Sequence, residues 1–152
     1  NTYKLYLLLF FMGADIIHHS KNGTITRFID GDNVFLVYND HKHGRDIHVF
    51  IRGNKVSVDL GNGNISYSYV SASTARRLRE MFIHLHSYHG FMGAYKEAIT
   101  AIKKEYDRYD RLVNDVIDVV SRVPGYDASL RNELYRFLIA QAKKFIREKN
   151  LG

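Results

Sequence analysis

The sequence contains no cysteine and only one proline among its 152 residues. Without cysteine the chain has no disulfide, no thiolate metal ligand and no cysteine nucleophile. Cysteine-free chains suit a reducing compartment, so we expect a cytoplasmic protein. Long apolar runs are also missing, since the most apolar stretch, from Leu5 to Ala14, has ten residues where about 20 are needed to cross a bilayer. We therefore expect no membrane association.

The stretch at residues 2–12 is apolar on all sides. The hydrophobic region of a signal peptide can be this short, but Lys4 is the only basic residue before the uncharged run that starts at Leu5. We interpret the stretch as a buried element of the fold. Periodicity cannot distinguish a helix from a buried strand in such a run, so both remain open.

Residues 15–71 alternate between short β-rich runs and glycine-containing turns. The pair Asn22-Gly23, for example, tolerates the positive φ of a type I′ hairpin turn. Because the connections are too short for crossovers, neighbouring strands should be antiparallel. We predict a six-stranded meander with one apolar face covered by helices. The positions assigned to that face in the last three strands are Ile47, Val49, Ile51, Val56, Val58, Leu60, Ile65, Tyr67 and Tyr69.

After Ser71 the apolar period changes from 2 to 3.6 residues. Ser71 or Ser73 is a suitable N-cap for a first helix that runs to about His86 and buries Leu78, Phe82 and Leu85. Gly90 and Gly93 then interrupt, and a long helix is predicted over about 92–121. Its apolar residues recur at alternating spacings of 4 and 3, which is a coiled-coil pattern. They are Tyr95, Ile99, Ile102, Tyr106, Tyr109, Val113, Val116 and Val120.

Pro124 and Gly125 should end the long helix, because proline cannot continue one. Asp127 is a suitable N-cap for a last helix that reaches about Lys149 and packs antiparallel on the long one. We thus predict one α+β domain over 1–152, mainly β in 1–71 and helical in 72–152. The apolar stripe predicted for the last helix contains Leu130, Leu134, Phe137, Leu138, Phe145 and Ile146.

The positive charge is unevenly distributed. Of the net charge of +6, residues 1–71 carry 7 basic and 6 acidic side chains, and residues 72–152 carry 15 and 10. A basic half suggests a polyanionic partner such as nucleic acid, although a solvated Lys/Arg-rich surface looks the same in sequence. The candidate phosphate contacts are Arg76, Arg77, Arg79, Arg136, Lys143, Lys144 and Arg147. On the fourth strand, a row of His48, Phe50 and Arg52 is predicted to be exposed, with Phe50 stacking on a base.

The eight histidines suggest other chemistry, because three of them fall in 41–48 and three in 84–89. No H-E-x-x-H or similar metal signature accompanies them, and turn chemistry explains the acidic residues Asp30, Asp32, Asp40 and Asp46. We therefore expect no metal and no cofactor.

Three functions remain open. The first is a non-enzymatic protein that binds nucleic acid through its basic helical half. The second is a small protein-binding inhibitor or adaptor, as in viruses and mobile elements, or a homodimer that pairs through the Tyr95–Val120 stripe. The third is a hydrolase or nuclease that uses histidine and aspartate for acid–base chemistry.

Overall fold

The computed structural model describes residues 13–59, 61 and 64–151, without the side chains of 146 and 149–151. The interpretation of residues 2–12 lies outside these residues, as does the assignment of Leu60. Six strands come first: β1 (Asp15–Ser20), β2 (Gly23–Asp30), β3 (Asn33–Asp40), β4 (Arg45–Arg52), β5 (Lys55–Asp59) and β6 (Ile65–Tyr69). Three helices follow: α1 (Ala72–His84), α2 (Tyr88–Val120) and α3 (Arg131–Leu151), the last preceded by a 3₁₀ turn (Ala128–Leu130).

The strands form one sheet in chain order, and every neighbouring pair is antiparallel. The predicted meander and the α+β class are therefore confirmed. Short turns with glycine at positive φ, such as Gly31 and Gly53, set the register of the hairpins that they close. The core lies on one face of the sheet, where Val49 pairs with Leu36 on one side and Val58 on the other. All three are buried beneath α1 and α2 in one hydrophobic cluster.

The side chains of strand β6 that face the helices are the opposite set from the one predicted. Ser68 pairs with Val56 and Ser66 pairs with Val58, so the two serines share the helix-covered face and Tyr67 lies on the other. Ser68 is fully buried, and its hydroxyl forms a hydrogen bond of 3.2 Å with the hydroxyl of Tyr109 in α2. Assigning the aromatic set of β6 to the core was therefore wrong. A buried serine hydroxyl needs a hydrogen-bond partner, and the hydroxyl of Tyr109 in α2 supplies one here.

Helix α1 follows the prediction closely. The Ser71 hydroxyl caps it by accepting a hydrogen bond of 3.2 Å from the N–H of Thr74. Leu78, Phe82 and Leu85 are buried as expected. The helix ends at His84, two residues before the predicted end.

Helix α2 begins earlier than predicted and contains both glycines that were expected to interrupt it. The Ser87 hydroxyl accepts a 2.9 Å hydrogen bond from the N–H of Gly90 and thereby caps the first turn. The buried side also differs from the predicted stripe, because Ile99 and Val116 are exposed. Small alanines let the helix approach the sheet closely, so they replace larger residues along the contact. The buried residues are Phe91, Ala94, Ala98, Ala101, Ile102, Glu105, Tyr109, Val113 and Ile117.

Helices α2 and α3 form the predicted antiparallel hairpin. Arg131 donates a hydrogen bond of 3.0 Å to Asn114, and the Tyr135 hydroxyl donates to Asp110. The stripe predicted for α3 is wrong at three positions, since Leu130, Phe137 and Phe145 are at least half exposed. Helix α3 packs on one side of α2 and on strand β6, so only a narrow seam of it is covered.

Candidate nucleic-acid interface

Two lysines converge on Tyr67, on the face of β6 away from the core. The Nζ atoms of Lys55 and Lys143 each lie 4.5 Å from the centroid of its ring. Lys143 Nζ also lies 4.4 Å from the centroid of Tyr106 and donates a 2.6 Å hydrogen bond to the Tyr106 hydroxyl. Cations over aromatic rings are held by the quadrupole of the ring. We call Lys55, Tyr67, Tyr106 and Lys143 the two-lysine cluster.

Three separate elements build this cluster. Lys55 opens β5 directly after the Gly53-Asn54 turn and faces Tyr69 across the ladder, while Tyr67 faces Ser57. Both Lys55 and Tyr67 therefore lie on the outer face of the sheet at its β6 edge. The hairpin then brings Lys143 of α3 beside Tyr106 of α2, next to the same edge.

The cluster has an unbalanced positive charge. Among the described residues, no carboxylate lies within ion-pair distance of Lys55 or Lys143. An anion in contact with either ammonium group would therefore be stabilised by its charge. The cluster is thus a candidate contact for an anion such as phosphate.

The outer side of α3 extends this positive surface. Arg136, Lys144 and Arg147 are exposed, and the described residues offer their side chains no hydrogen bond or ion pair. At 3.6 residues per turn they fall within an arc of about 80° around the helix axis. Phe137, 59% exposed, lies on the same side of α3 about two turns before Lys144. Glu133 and Glu148 share that side and reduce its net charge.

The three arginines of α1 have different surroundings. Arg79 donates to the carbonyl oxygens of Gly53 at 3.0 Å and Asp32 at 3.5 Å, and so fastens the helix to two turns of the sheet. Arg77 forms a 2.9 Å ion pair with Glu97 of α2. Arg76 is exposed and has no such contact within the described part of the chain. The structure does not bring these arginines into contact with the two-lysine cluster.

The row on β4 is only partly exposed. Arg52 is exposed, but Phe50 is half-buried and stacks on Phe35 with ring centroids 4.7 Å apart. His48 is 7% exposed, so the prediction of an exposed row was wrong there. Val37, which pairs with His48 in β3, is also buried. This face of the sheet is therefore not fully exposed to solvent around His48. Burial lowers the pKa of His48, although the charges of Asp59 and Asp46 oppose that shift.

Sequence reasoning missed Lys55, Tyr67 and Tyr106 as members of a site. A signal for Lys55 was available, because a two-residue turn places it directly opposite Arg52. The role of Tyr67 was hidden by its assignment to the core face. The approach of Lys143 depends on how the hairpin packs, which no local pattern records.

Histidine and aspartate meet at the loop between β3 and β4. His43 Nδ1 lies 2.7 Å from an oxygen of Asp40, and the Arg45 side chain lies 3.5 Å from the same oxygen. Burial raises the pKa of Asp40, but the hydrogen bonds from His43 and Arg45 outweigh it and hold the pKa below its ordinary value. Asp40 also accepts from the His43 N–H at 3.1 Å, as in an Asx turn. The contact therefore orders the loop.

A recess of about 330 Å³ adjoins this loop, lined in part by Ser20, Tyr38 and Tyr88. At the start of the same loop, the Thr24 hydroxyl contacts His41 at 3.4 Å and also contacts His19 of β1 at 2.9 Å. Across the described residues, no three histidine or acidic side chains are grouped so as to hold a metal ion. His43 with Asp40, and His19 with Thr24 and His41, thus form two small networks near this loop, and His84 separately contacts Glu80 at 3.2 Å.

No family model, curated protein or solved structure matches the chain. Within the described part, every helix is too short or too polar to cross a bilayer. The function must therefore be argued from the surface of the molecule itself.

Proposed function

We propose that the protein binds nucleic acid, with its phosphates on a surface that runs from the sheet edge onto α3. The observation that carries the proposal is the two-lysine cluster, in which two ammonium groups share one tyrosine without a carboxylate. Phosphate contacts of this kind give affinity without reading sequence. The proposed contacts are Lys55, Arg136, Lys143, Lys144 and Arg147.

We expect single strands to bind more tightly than duplexes. Phe137 is exposed on the same side of α3 as Lys144, about 10 Å away along the helix axis. An unstacked base can therefore lie on its ring while a phosphate of the same strand meets the lysine. In a duplex the bases are already stacked and their faces are inaccessible. The proposal assigns Arg79 and Arg77 to the fold, because their donors are already engaged. Arg52 and Arg76 are exposed and are not among the proposed contacts.

A charge-reversal experiment tests the proposal. Arg136, Lys144 and Arg147 are changed together to Glu, and binding to a labelled 20-nucleotide single strand of DNA or RNA is followed by fluorescence anisotropy. The control reverses Lys21, Lys42 and Lys96, which are equally exposed but lie away from the proposed surface. Both variants carry the same net charge, so any difference in their affinity shows the effect of where the reversed charges lie.

We expect the α3 variant to lose at least tenfold in affinity at 150 mM salt while the control changes by less than threefold. The neutral variants Lys55→Gln and Lys143→Gln should each weaken binding as well, since each removes one phosphate contact. Equal losses in the two triple variants would show that only net charge matters and would reject the proposed surface. Circular dichroism checks that both remain folded.

A second candidate, the protein-binding adaptor or inhibitor, has support from a different observation. The far end of the helical hairpin exposes apolar side chains, and such patches mark interaction sites on soluble proteins. These side chains are Leu112, Val116, Val119, Val123, Leu130 and Phe137.

A further inference from the structure

Helix α2 is longer than the sheet layer that it covers. Its 33 residues span about 50 Å, whereas its last hydrogen bond to the sheet is made by Tyr109 to Ser68 of the edge strand. Residues 110–120 extend roughly 16 Å further. Asp110 and Asn114 join this extension to α3 through side-chain hydrogen bonds.

The sheet-facing side of α2 continues along this extension. Ala94, Ala98, Ala101 and Glu105 are buried against the sheet layer. Eighteen residues are about five full turns, so the residues 18 positions further on lie on the same side of the helix. These residues are Leu112, Val116, Val119 and, in the turn after the helix, Val123, with exposures between 38% and 63%. We call them the overhang stripe.

The hairpin does not use the overhang stripe. Val113 and Ile117 are the buried residues of this segment, and they lie on the side toward α3. The stripe therefore lies on the sheet-facing side of α2, beyond its last hydrogen bond to the sheet, and α3 does not cover it. Its residues recur at spacings of 4, 3 and 4, which is the spacing of a helix–helix seam.

We propose that the overhang stripe binds the same stripe of a second copy of this chain, with the two helices antiparallel. In that register Leu112 meets Val123 of the second copy, and Val116 meets Val119 of the second copy. A two-fold axis repeats both contacts, so all eight side chains are used. An identical partner is the simplest one whose apolar spacing matches at every position.

The charges beside the stripe favour the antiparallel arrangement. Asp115 and Arg122 are exposed on one flank, and neither side chain has an ion pair within the described chain. Antiparallel helices bring Asp115 of each copy within one turn of Arg122 of the other, which gives two symmetric ion pairs. A parallel pair would instead place Asp115 beside Val120 of the second copy, where it has no counter-charge.

The interface is small. Four apolar side chains per copy bury much less than the roughly 800 Å² per partner of a standard interface. We therefore expect a weak dimer, with a Kd on the order of 10–100 µM.

Sedimentation equilibrium of the whole chain between 5 and 500 µM, in 150 mM salt without nucleic acid, tests the dimer. The chain should pass from monomer to dimer over this range, and Val119→Asp should keep it monomeric. Ile16→Asp is the matched control, because Ile16 is as exposed as Val119 but lies on strand β1. A chain that stays monomeric throughout, or a Val119→Asp variant that still dimerises, would overturn the proposal.

Charge exchange tests the orientation. Asp115→Arg alone and Arg122→Asp alone should each weaken self-association at least fivefold, because each sets like charges opposite one another. An equimolar mixture of the two variants should recover the wild-type affinity as a heterodimer. If the mixture remains as weak as the separate variants, the antiparallel register is wrong. Since no nucleic acid is present, this result is independent of the proposed function.

Discussion

Arg27 of strand β2 donates a 2.6 Å hydrogen bond from Nη1 to the carbonyl oxygen of Ile83, at the C-terminal end of helix α1. The same nitrogen lies 3.0 Å from the carbonyl oxygen of Leu85. The last carbonyls of a helix have no partner within it, and its C-terminus carries partial negative charge. A guanidinium at this place therefore caps the helix and ties it to the sheet.

Removing this cap should destabilise the fold. Arg27→Met keeps the apolar stem but leaves the carbonyls without their charged donor, so we expect the free energy of unfolding to fall by about 1.5–3 kcal/mol. Urea denaturation measures the change. The control is Arg52→Met, an exposed arginine, which should shift stability by less than about 0.5 kcal/mol. Equal effects of the two substitutions would show that Arg27 is not a cap.

The hydrogen bond between Ser68 and Tyr109 should be measurable as a coupling energy. Tyr109→Phe and Ser68→Ala each remove one partner and should cost about 1 kcal/mol, since the other hydroxyl loses its buried contact. The double variant should cost less than the two single costs added together, by roughly 0.5–1.5 kcal/mol. Strict additivity in a double-mutant cycle would mean that the two hydroxyls do not interact.

Substitution by alanine should destabilise the protein at one glycine and stabilise it at another. A Cβ at Gly23 would lie 2.6 Å from the carbonyl oxygen of Asn39 and 2.7 Å from the Tyr38 ring, so Gly23→Ala should cost about 1–3 kcal/mol. At Gly93, inside α2, a Cβ would meet nothing within 4 Å. Gly93→Ala should therefore stabilise the protein by about 0.5–1 kcal/mol. Thermal unfolding compares them, and a destabilising Gly93→Ala would contradict the helix assigned there.

His48 should make stability depend on pH in weakly acidic solution. Burial lowers its pKa in the folded chain, and none of the described residues forms a hydrogen bond with its Nε2. Below the ordinary histidine pKa of about 6.5, the unfolded chain therefore binds a proton that the folded chain does not. The free energy of unfolding should decrease as the pH falls from 7 toward 5.

Urea titrations of wild type and His48→Gln across this range measure the effect, with exposed His86→Gln as the control. The His48 variant should show a flatter pH dependence, and the control should follow wild type. Asp40 does not interfere, because its lowered pKa places its effect below about pH 4. An unchanged slope in His48→Gln would assign the pH dependence to another group.

Much of the fold could be predicted because its signals are local. Glycines such as Gly31 and Gly53 mark hairpin turns, and Ser71 marks the start of α1. The type I′ turn predicted at Asn22-Gly23 was wrong, because Gly23 opens β2 opposite Ser20 and neither residue has a positive φ. The face of β6 could not be predicted, because alternation separates Tyr67 from Ser68 without saying which is buried. That choice depends on the hydroxyl of Tyr109, which is distant in sequence.

The candidate site, like the fold, could be predicted from the sequence only in part. The exposed basic side of α3, with Arg136 and Arg147, follows from helical spacing alone. The two-lysine cluster could not be predicted, because Lys55 and Lys143 meet only through the packing of α3 against the sheet edge. For the same reason, sequence could not reveal that the donors of Arg79 are engaged by the backbone of two turns.

The most direct test of nucleic-acid binding is the salt dependence of the affinity for a labelled single strand, measured by fluorescence anisotropy between 50 and 300 mM salt. Five phosphate contacts predict a slope of roughly −3 to −4 in a plot of log K against log salt, at about −0.7 per contact. The double variant Lys55→Gln/Lys143→Gln should make the slope shallower by about 1.4. Absence of binding at 50 mM salt, or a slope that the double variant leaves unchanged, would contradict the account.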